Sequence, residues 1–489
     1  MKNLHRINLL PRIQDIFFIA IFFAVLLLGS RMLNLDGDLP RHLLMGKLIL
    51  QTGEVPTTEQ FIHPYLGRHY VTHEWLADVI FYGIYKFTGL KGIVLFSAIM
   101  LAATFFLIYQ YITVRFQNRL GAFFLVTWGA LATSLNWATR PHLFSMLFLA
   151  IWLILADKLR RGEKIPLWIF PVFMLVWSNT HGVFIAGILA LFAHAVGWGI
   201  DILLESTSAN KAVGKNLWLA LILSALASLF NPGGSGSWES ILGFVNNQYL
   251  MSRMLESNPP NFQLPEMRIL LGLIAASIFL LAIKKEKISS GQGLLLAGFT
   301  AMSLIAFRNI HLFGVVAPFV LAETLSIFSN IPFVFRLEAS LQRVESQITG
   351  SFWIVASTLL IGVLILSSTA TSRLYQFNQK TFPVGAVEWL KENPQEGKMF
   401  NYLNWGGYIS FNLWPEQLAF IDSVADVTGE VTMEYETVIR VLPEWESILN
   451  QYDIQWVIIP PDSLLAKTLT DEAKWSVVYE DDTAAILRK

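Results

Sequence analysis

Asp36 and Asp38 stand two residues apart in LDGDLPRHLLMGKLILQTGEVP, directly after the first long apolar segment of the chain. His42 lies one helical turn beyond Asp38, and THEW brings His73 and Glu74 to the head of a second amphipathic run. A carboxylate held beside a hydroxyl can take its proton in a general-base step, and histidine can orient or relay one. Such groups add nothing to the energy of spanning a bilayer. At a membrane boundary they are candidates for chemistry, set against the plainer reading of a solvated polar loop. Farther along come Arg140 and His142 in TRPHLFS, Asn179 and His181 in WSNTHG, Asn231 in FNPGG, Glu256, and Arg308, Asn309 and His311 in FRNIHLF. Arginine forks match phosphate oxygens, which would give Arg140 and Arg308 an anionic ligand. A lone arginine at a helix end can instead snorkel to the interface.

The elements that must position these groups are membrane helices. Of the 489 residues 54% are hydrophobic and only 15% charged, which is too apolar for an ordinary soluble enzyme. A mean hydropathy of +0.51 points the same way. The formal net charge of −1 gives no argument for nucleic acid as a partner, and the lack of cysteine excludes disulfides, thiolate metal sites and cysteine nucleophiles. The first apolar stretch follows Lys2, Arg6 and Arg12 and is followed by no small-residue cleavage site, so it reads as an uncleaved membrane helix. Taking about 20 apolar residues as a span, eleven segments qualify, near 14–33, 90–114, 119–138, 141–157, 165–180, 182–204, 216–231, 266–283, 289–306, 309–328 and 352–370. The third and fourth are so close that a tight helical hairpin is expected.

Charge bias orients this bundle. With the N-terminus cytoplasmic, the even-numbered connections should be basic. Each is: Arg115 and Arg119; Lys158, Arg160, Arg161 and Lys164; Lys211 and Lys215; Lys284, Lys285 and Lys287; Arg336 and Arg343. An odd number of spans then puts the chain after about Ser372 outside. The same topology collects Asp36, Asp38, His42, His73, Glu74, Arg140, His142, Asn179, His181, Arg308 and Asn309 on the outer side. Basic residues there run against the usual bias, and an extracytoplasmic phosphate site explains them better than separate snorkelling.

Residues 1–372 thus form a multi-span domain whose first outer loop, 34–89, is longer than a helix connection needs. Within it Leu39–Gln51 and Trp75–Phe87 carry apolar residues at helical spacing and read as helices lying in the interface, apolar face down. Residues 373–489 mix helix and strand signals and read as a small extracytoplasmic α/β domain. LAFID, WVIIP, WSVVYED and AAILRK are its short strand-like runs. NYLNWGGY, 401–408, reads either as a ligand loop or as a tight turn between packed elements.

DGDLPRHLLMGKLILQTGEVP, HEWLADVIFY, RPHLFS, WSNTHG and FRNIHLF together resemble bacterial members of the integral-membrane GT-C glycosyltransferase superfamily, related to the dolichyl-phosphate-mannose:protein mannosyltransferases and the aminoarabinose lipid A transferase. The usual first-loop pattern is Asp-Pro-Asp-Leu, two aromatics, then His-Leu. Asp36, Asp38, Leu39, His42 and Leu43 match it; Gly37, Pro40 and Arg41 depart. NWGGY and Phe420-Ile421-Asp422 also look like the tail of such proteins. The resemblance implies a mainly α, polytopic GT-C-like bundle in the bacterial plasma membrane. It further implies transfer of a sugar from a polyprenyl-phosphate donor to a lipid, glycan or protein acceptor on the outer face, with inversion. Asp38 or Asp36 would be the general base, Arg140 and Arg308 would neutralise the departing phosphate, and His73 and His181 would orient either partner. Some members of such a family need a divalent cation and others do not, and Asp36 and Asp38 with histidines nearby could hold one. A transporter or flippase for a lipid-linked sugar would place its polar residues at mid-membrane with repeat symmetry, and neither is visible here. A noncatalytic envelope-assembly protein is the third reading.

Because the chain has no cysteine, single introduced thiols report topology directly. Ser463→Cys should react with a membrane-impermeant thiol reagent in intact cells and Ser206→Cys should not. The reverse labelling pattern would invert the orientation.

Overall fold

The computed structural model describes residues 10–205, 211–284, 287–329, 331–348, 352–423 and 429–489. Lys2, Arg6, Ser206 and Lys285, used in the charge and labelling arguments, lie outside the described residues. Eight helices lead the chain: α1 (Ile13–Leu33), α2 (Asp38–Thr52), α3 (Trp75–Phe116), α4 (Arg119–Thr133), α5 (His142–Arg160), α6 (Ile169–Ser178), α7 (Phe184–Glu205) and α8 (Lys211–Ala227). Apolar helices follow at Arg268–Ile283, Ser290–Ile305, Ile310–Leu321 and Phe352–Ser367. Each of the eleven apolar segments coincides with helix. Among the described helices five are long and apolar enough to cross a membrane: α1, α3, α5, α7 and the segment Pro265–Ile283. The mainly helical bundle is therefore as expected, and the count of eleven goes beyond it.

Packing, not proximity in sequence, pairs the helices. α1 and α5 both lie against α3, while α4 packs on Ile310–Leu321 and makes no extended contact with α5. The tight hairpin expected from the short α4–α5 connection is thus corrected. Gly129 explains the choice: a Cβ there would stand 2.3 Å from the carbonyl oxygen of Gly314, so only glycine allows this backbone approach. The freed connection, residues 134–141, instead reaches α1, where Thr139 donates its backbone N–H to the Met32 carbonyl.

The two amphipathic stretches of the first loop are helical, but not as surface helices. α2 buries Leu39, Leu43, Leu44, Met45 and Leu48. It packs against α3 and against the helix Gly406–Leu413. The expectation of an apolar face turned toward lipid is corrected: tertiary contacts supply the apolar surroundings first. Trp75–Phe87 is the first part of α3. Gly89, at φ 64° and ψ −163°, breaks the direction between this segment and the apolar run that follows.

The C-terminal segment holds a four-stranded sheet, β1 (Lys398–Asn401), β2 (Ile454–Ile459), β3 (Ser476–Glu480) and β4 (Ala485–Arg488), in the order β1-β2-β4-β3. β1 runs parallel to β2, whereas β2–β4 and β3–β4 are antiparallel. WVIIP, WSVVYED and AAILRK thus supply strands. LAFID does not, and that expectation is corrected. Its backbone is taken by the first loop, through Ala419 with Phe61 and His63, and by the Asn401 side chain on Phe420 and Ile421.

Gly129→Ala should cost about 1–3 kcal/mol, the usual scale for overpacking a filled contact. Thermal unfolding of the purified protein measures it, and an unchanged midpoint would contradict the α4 pairing described here.

Candidate active site

Arg140, two residues before α5, is the centre of a polar cluster. Its three guanidinium nitrogens meet three carboxylates: Nη2 lies 2.6 Å from Asp36 Oδ2, Nε 2.9 Å from Asp38 Oδ2, and Nη1 3.1 Å from Glu256 Oε2. Glu256 also faces Arg308, with 3.9 Å between Oε1 and Nη1. Arg308 makes no closer ion pair among the described residues, lies over the Phe244 ring, and keeps 37% of its side chain exposed. The two arginines beside Glu256 hold its carboxyl below the usual range against the upward pull of burial.

The two aspartates play different structural parts. Asp36 uses Oδ1 to accept the backbone N–H of Asp38 at 3.0 Å, which caps the turn into α2, and Oδ2 for Arg140. Asp38, the first residue of α2, engages Arg140 through Oδ2 and leaves 21% of its side chain exposed. Burial, helped by the neighbouring Asp36 charge and opposed by Arg140 and His42, pushes the Asp38 carboxyl up to about 6. That is a carboxylate ionised at neutral pH yet more basic than usual.

A second cluster adjoins it. His42 Nδ1 lies 2.7 Å from Asp78 Oδ1, and His42 Nε2 lies 3.9 Å from Glu74 Oε2. Burial opposes charge on this ring, but Asp78, by charge and hydrogen bond, and then Glu74 and Asp38 outweigh it and push His42 up to about 9. His42 is therefore an imidazolium that donates to Asp78 at neutral pH. Glu74 is shared further, with His73 Nε2 at 4.0 Å and His181 Nε2 at 3.3 Å. Trp177 Nε1 donates to Ser145 Oγ, so the Ser145 hydroxyl is directed at His181 Nδ1, 2.8 Å away. Burial and the nearby His142, His311, His73 and Arg308 keep His181 neutral.

The structure thus brings together Asp36, Asp38, His42, His73, Glu74, Arg140, His181 and Arg308 from five separate stretches. His142 stands edge-on to His311, with ring centroids 5.3 Å apart. Asn179 and Asn309 serve the scaffold instead. Asn179 accepts from Trp75 Nε1 and donates to the Leu175 and Phe230 carbonyls; Asn309 donates to Met302. Two participants went unrecognised in the sequence, Asp78 and Ser145. Asp78 had a usable signal, a lone acid one helical turn after Glu74 in an otherwise apolar run. Ser145 had none. Asp36 and Asp38 face an arginine, and among the described residues no group of three or more His, Asp or Glu suits a metal ion. The donor set as folded does not fit a divalent cation.

No protein-family model matches the sequence, and no curated protein does. Solved structures do. The Archaeoglobus fulgidus oligosaccharyltransferase in its apo form aligns over 90% of this chain and 69% of its own, with TM-score 0.55 and 12% identity. The same enzyme tethered to an acceptor peptide containing the NVT sequon gives 0.55 and 11% over the same shares. ArnT from Cupriavidus metallidurans in the apo state aligns over 96% of this chain and 97% of its own, with TM-score 0.56 and 12% identity. At these identities the likeness is one of fold: the chain is built like these two enzymes over nearly its whole length.

If Asp78 holds the charge on His42, Asp78→Asn should lower the His42 midpoint by about 1–3 units, the usual effect of removing an adjacent opposite charge. NMR of histidine-labelled protein measures it, and an unmoved midpoint would assign the elevation to Glu74 and Asp38 instead.

Proposed function

We propose that this chain, folded like an oligosaccharyltransferase and ArnT, is a membrane glycosyltransferase that moves a sugar from a polyprenyl-phosphate donor to an acceptor on the extracytoplasmic face. The acceptor is a lipid, glycan or protein hydroxyl or amide. Its oxygen or nitrogen attacks the anomeric carbon while the bond from that carbon to the carrier phosphate oxygen breaks. Asp38 takes the acceptor proton, the electron pair leaves with the polyprenyl phosphate, and configuration inverts because base and leaving group lie on opposite faces.

The observation that carries this reading is the placement of Asp38. It starts a buried helix in the first outer loop, is steadied by Arg140, and is tuned upward toward neutral pH. Asp36, with both oxygens engaged, fits the role of anchor rather than base. The charge that develops on the phosphate needs a cation. Arg140 is committed to three carboxylates, so the available cations are Arg308, half-exposed with one long contact, and the His42 imidazolium. Membrane lipids surround residues 1–372, and residues 373–489 form the outer domain, with the N-terminus inside.

Asp38→Asn keeps the shape but removes the proton acceptor, so turnover should fall about 10²–10⁴-fold while donor binding persists. The wild-type kcat/KM should fall below about pH 6 as Asp38 gains its proton, and fall again above about pH 9 as His42 loses its charge. Incubation with polyprenyl-phosphate sugars, with lipid and acceptor products read by mass spectrometry across pH, tests both. Near-normal turnover of Asp38→Asn would exclude base catalysis by this carboxylate and favour transport of the lipid-linked sugar.

A further inference from the structure

Arg41 directly precedes His42 and lies one turn beyond Asp38, and its side chain is only 2% exposed. Its guanidinium is held by acids from two distant parts of the chain. Nη2 donates to both Glu59 oxygens, at 2.8 and 3.1 Å, and Nε lies 3.1 Å from Asp422 Oδ2. The Phe61 ring lies 4.0 Å from the guanidinium carbon. Both acids are buried, and Glu59 also accepts the backbone N–H groups of Gln60 and Phe61. Burying such a group gains little stability over apolar residues of the same volume, while removing one partner leaves uncompensated charge. Such an arrangement defines position and register.

What it defines is the turn that bears Asp38. Two further contacts converge on that turn from the C-terminal segment. A Cβ on Gly37 would lie 2.3 Å from the Asn404 carbonyl oxygen, and one on Gly407 would lie 2.5 Å from the Gly37 carbonyl oxygen. Ser423, next to Asp422, lies beside the Asp38 carboxylate. The first loop is further stitched to the same segment by Ala419, through Phe61 and His63, and by Trp414 Nε1 donating to Gln60.

We propose that Asp422 is a positioning residue for the reaction: through Arg41 it sets the first turn of α2, so that the C-terminal segment aims Asp38 at the acceptor. This rests on the glycosyltransferase reading for the reaction but not for the geometry. It makes the C-terminal segment part of the catalytic apparatus rather than an appended module. Gly407 and Asn404 of NWGGY then serve the docking of that segment, not a ligand.

The test uses the full chain in lipid nanodiscs with polyprenyl-phosphate hexose and pentose donors, reading release of polyprenyl phosphate. Asp422→Asn should lower kcat at least tenfold with the donor Kd within twofold, and should move the acid limb of the pH profile. Asp422→Glu should recover part of the rate. Wild-type kcat and an unmoved acid limb in Asp422→Asn would overturn the proposal. If Asp422→Asn does not fold, Arg41→Lys, which keeps the charge but loses the fork, is read the same way. If the wild type releases nothing from any donor, the glycosyltransferase reading fails. The carboxyl infrared band of Asp38, assigned by its loss in Asp38→Asn, then decides the geometry alone. A shifted titration in Asp422→Asn supports the coupling, and an unshifted one removes it.

Discussion

One guanidinium, that of Arg140, gathers the polar cluster at the head of α5. Asp36 and Asp38 come from the end of the first span and Glu256 from a loop far along the chain, and each would repel the others without a cation between them. Three acids around one arginine leave a net negative site, and burial raises the proton affinity of the carboxyl most involved in it. The arginine is in turn fixed by its short connection, because Thr139 is hydrogen-bonded to the carbonyl of Met32 near the end of α1. The polar centre is therefore built on the packing of α1, α3 and α5, and any loosening of that packing would separate like charges and their counterion.

The C-terminal end of α5 gathers a second set of buried ion pairs. Asp157 is fully buried on α5 and is bound by Arg115, Arg160, Arg161 and Tyr111, while Glu323 takes Arg115 again. Arg119 pairs with Glu338 and Glu345. Around Asp157 and Glu323 the arginines outnumber the acids, and the surplus acid beside Arg119 brings these four acids and four arginines into balance. At the N-terminal end of α5 Asp36, Asp38, Glu74, Asp78 and Glu256 face Arg140, Arg308 and charged His42, an excess of acid. The contrast is between ion pairs that balance and a cluster that carries surplus acid.

The basic residues from which the orientation is expected, such as Arg115, Arg119, Arg160 and Arg161, are thus largely neutralised within the fold. The expected orientation is unaltered by this pairing, because the positive-inside bias acts on counts of Lys and Arg and not on net charge.

Composition and periodicity by themselves determined the helical character, the apolar segments and the strand runs WVIIP, WSVVYED and AAILRK, because local hydrophobic patterning is a local property. Residue types and spacing also marked Asp36, Asp38, His42, Glu74, Arg140, His181 and Arg308, since ionisable groups in so apolar a chain are few and conspicuous. Only the tertiary structure decided their partners. It paired Arg140 with acids where phosphate was expected, spent Asn179 and Asn309 on backbone carbonyls, and drew in Asp78 and Ser145. It also turned α2 from a surface helix into a buried one and took LAFID out of the sheet. In each case the deciding term is a contact between residues far apart in sequence, such as Asp422 with Arg41 or Gly129 with Gly314, and no window of sequence contains both members.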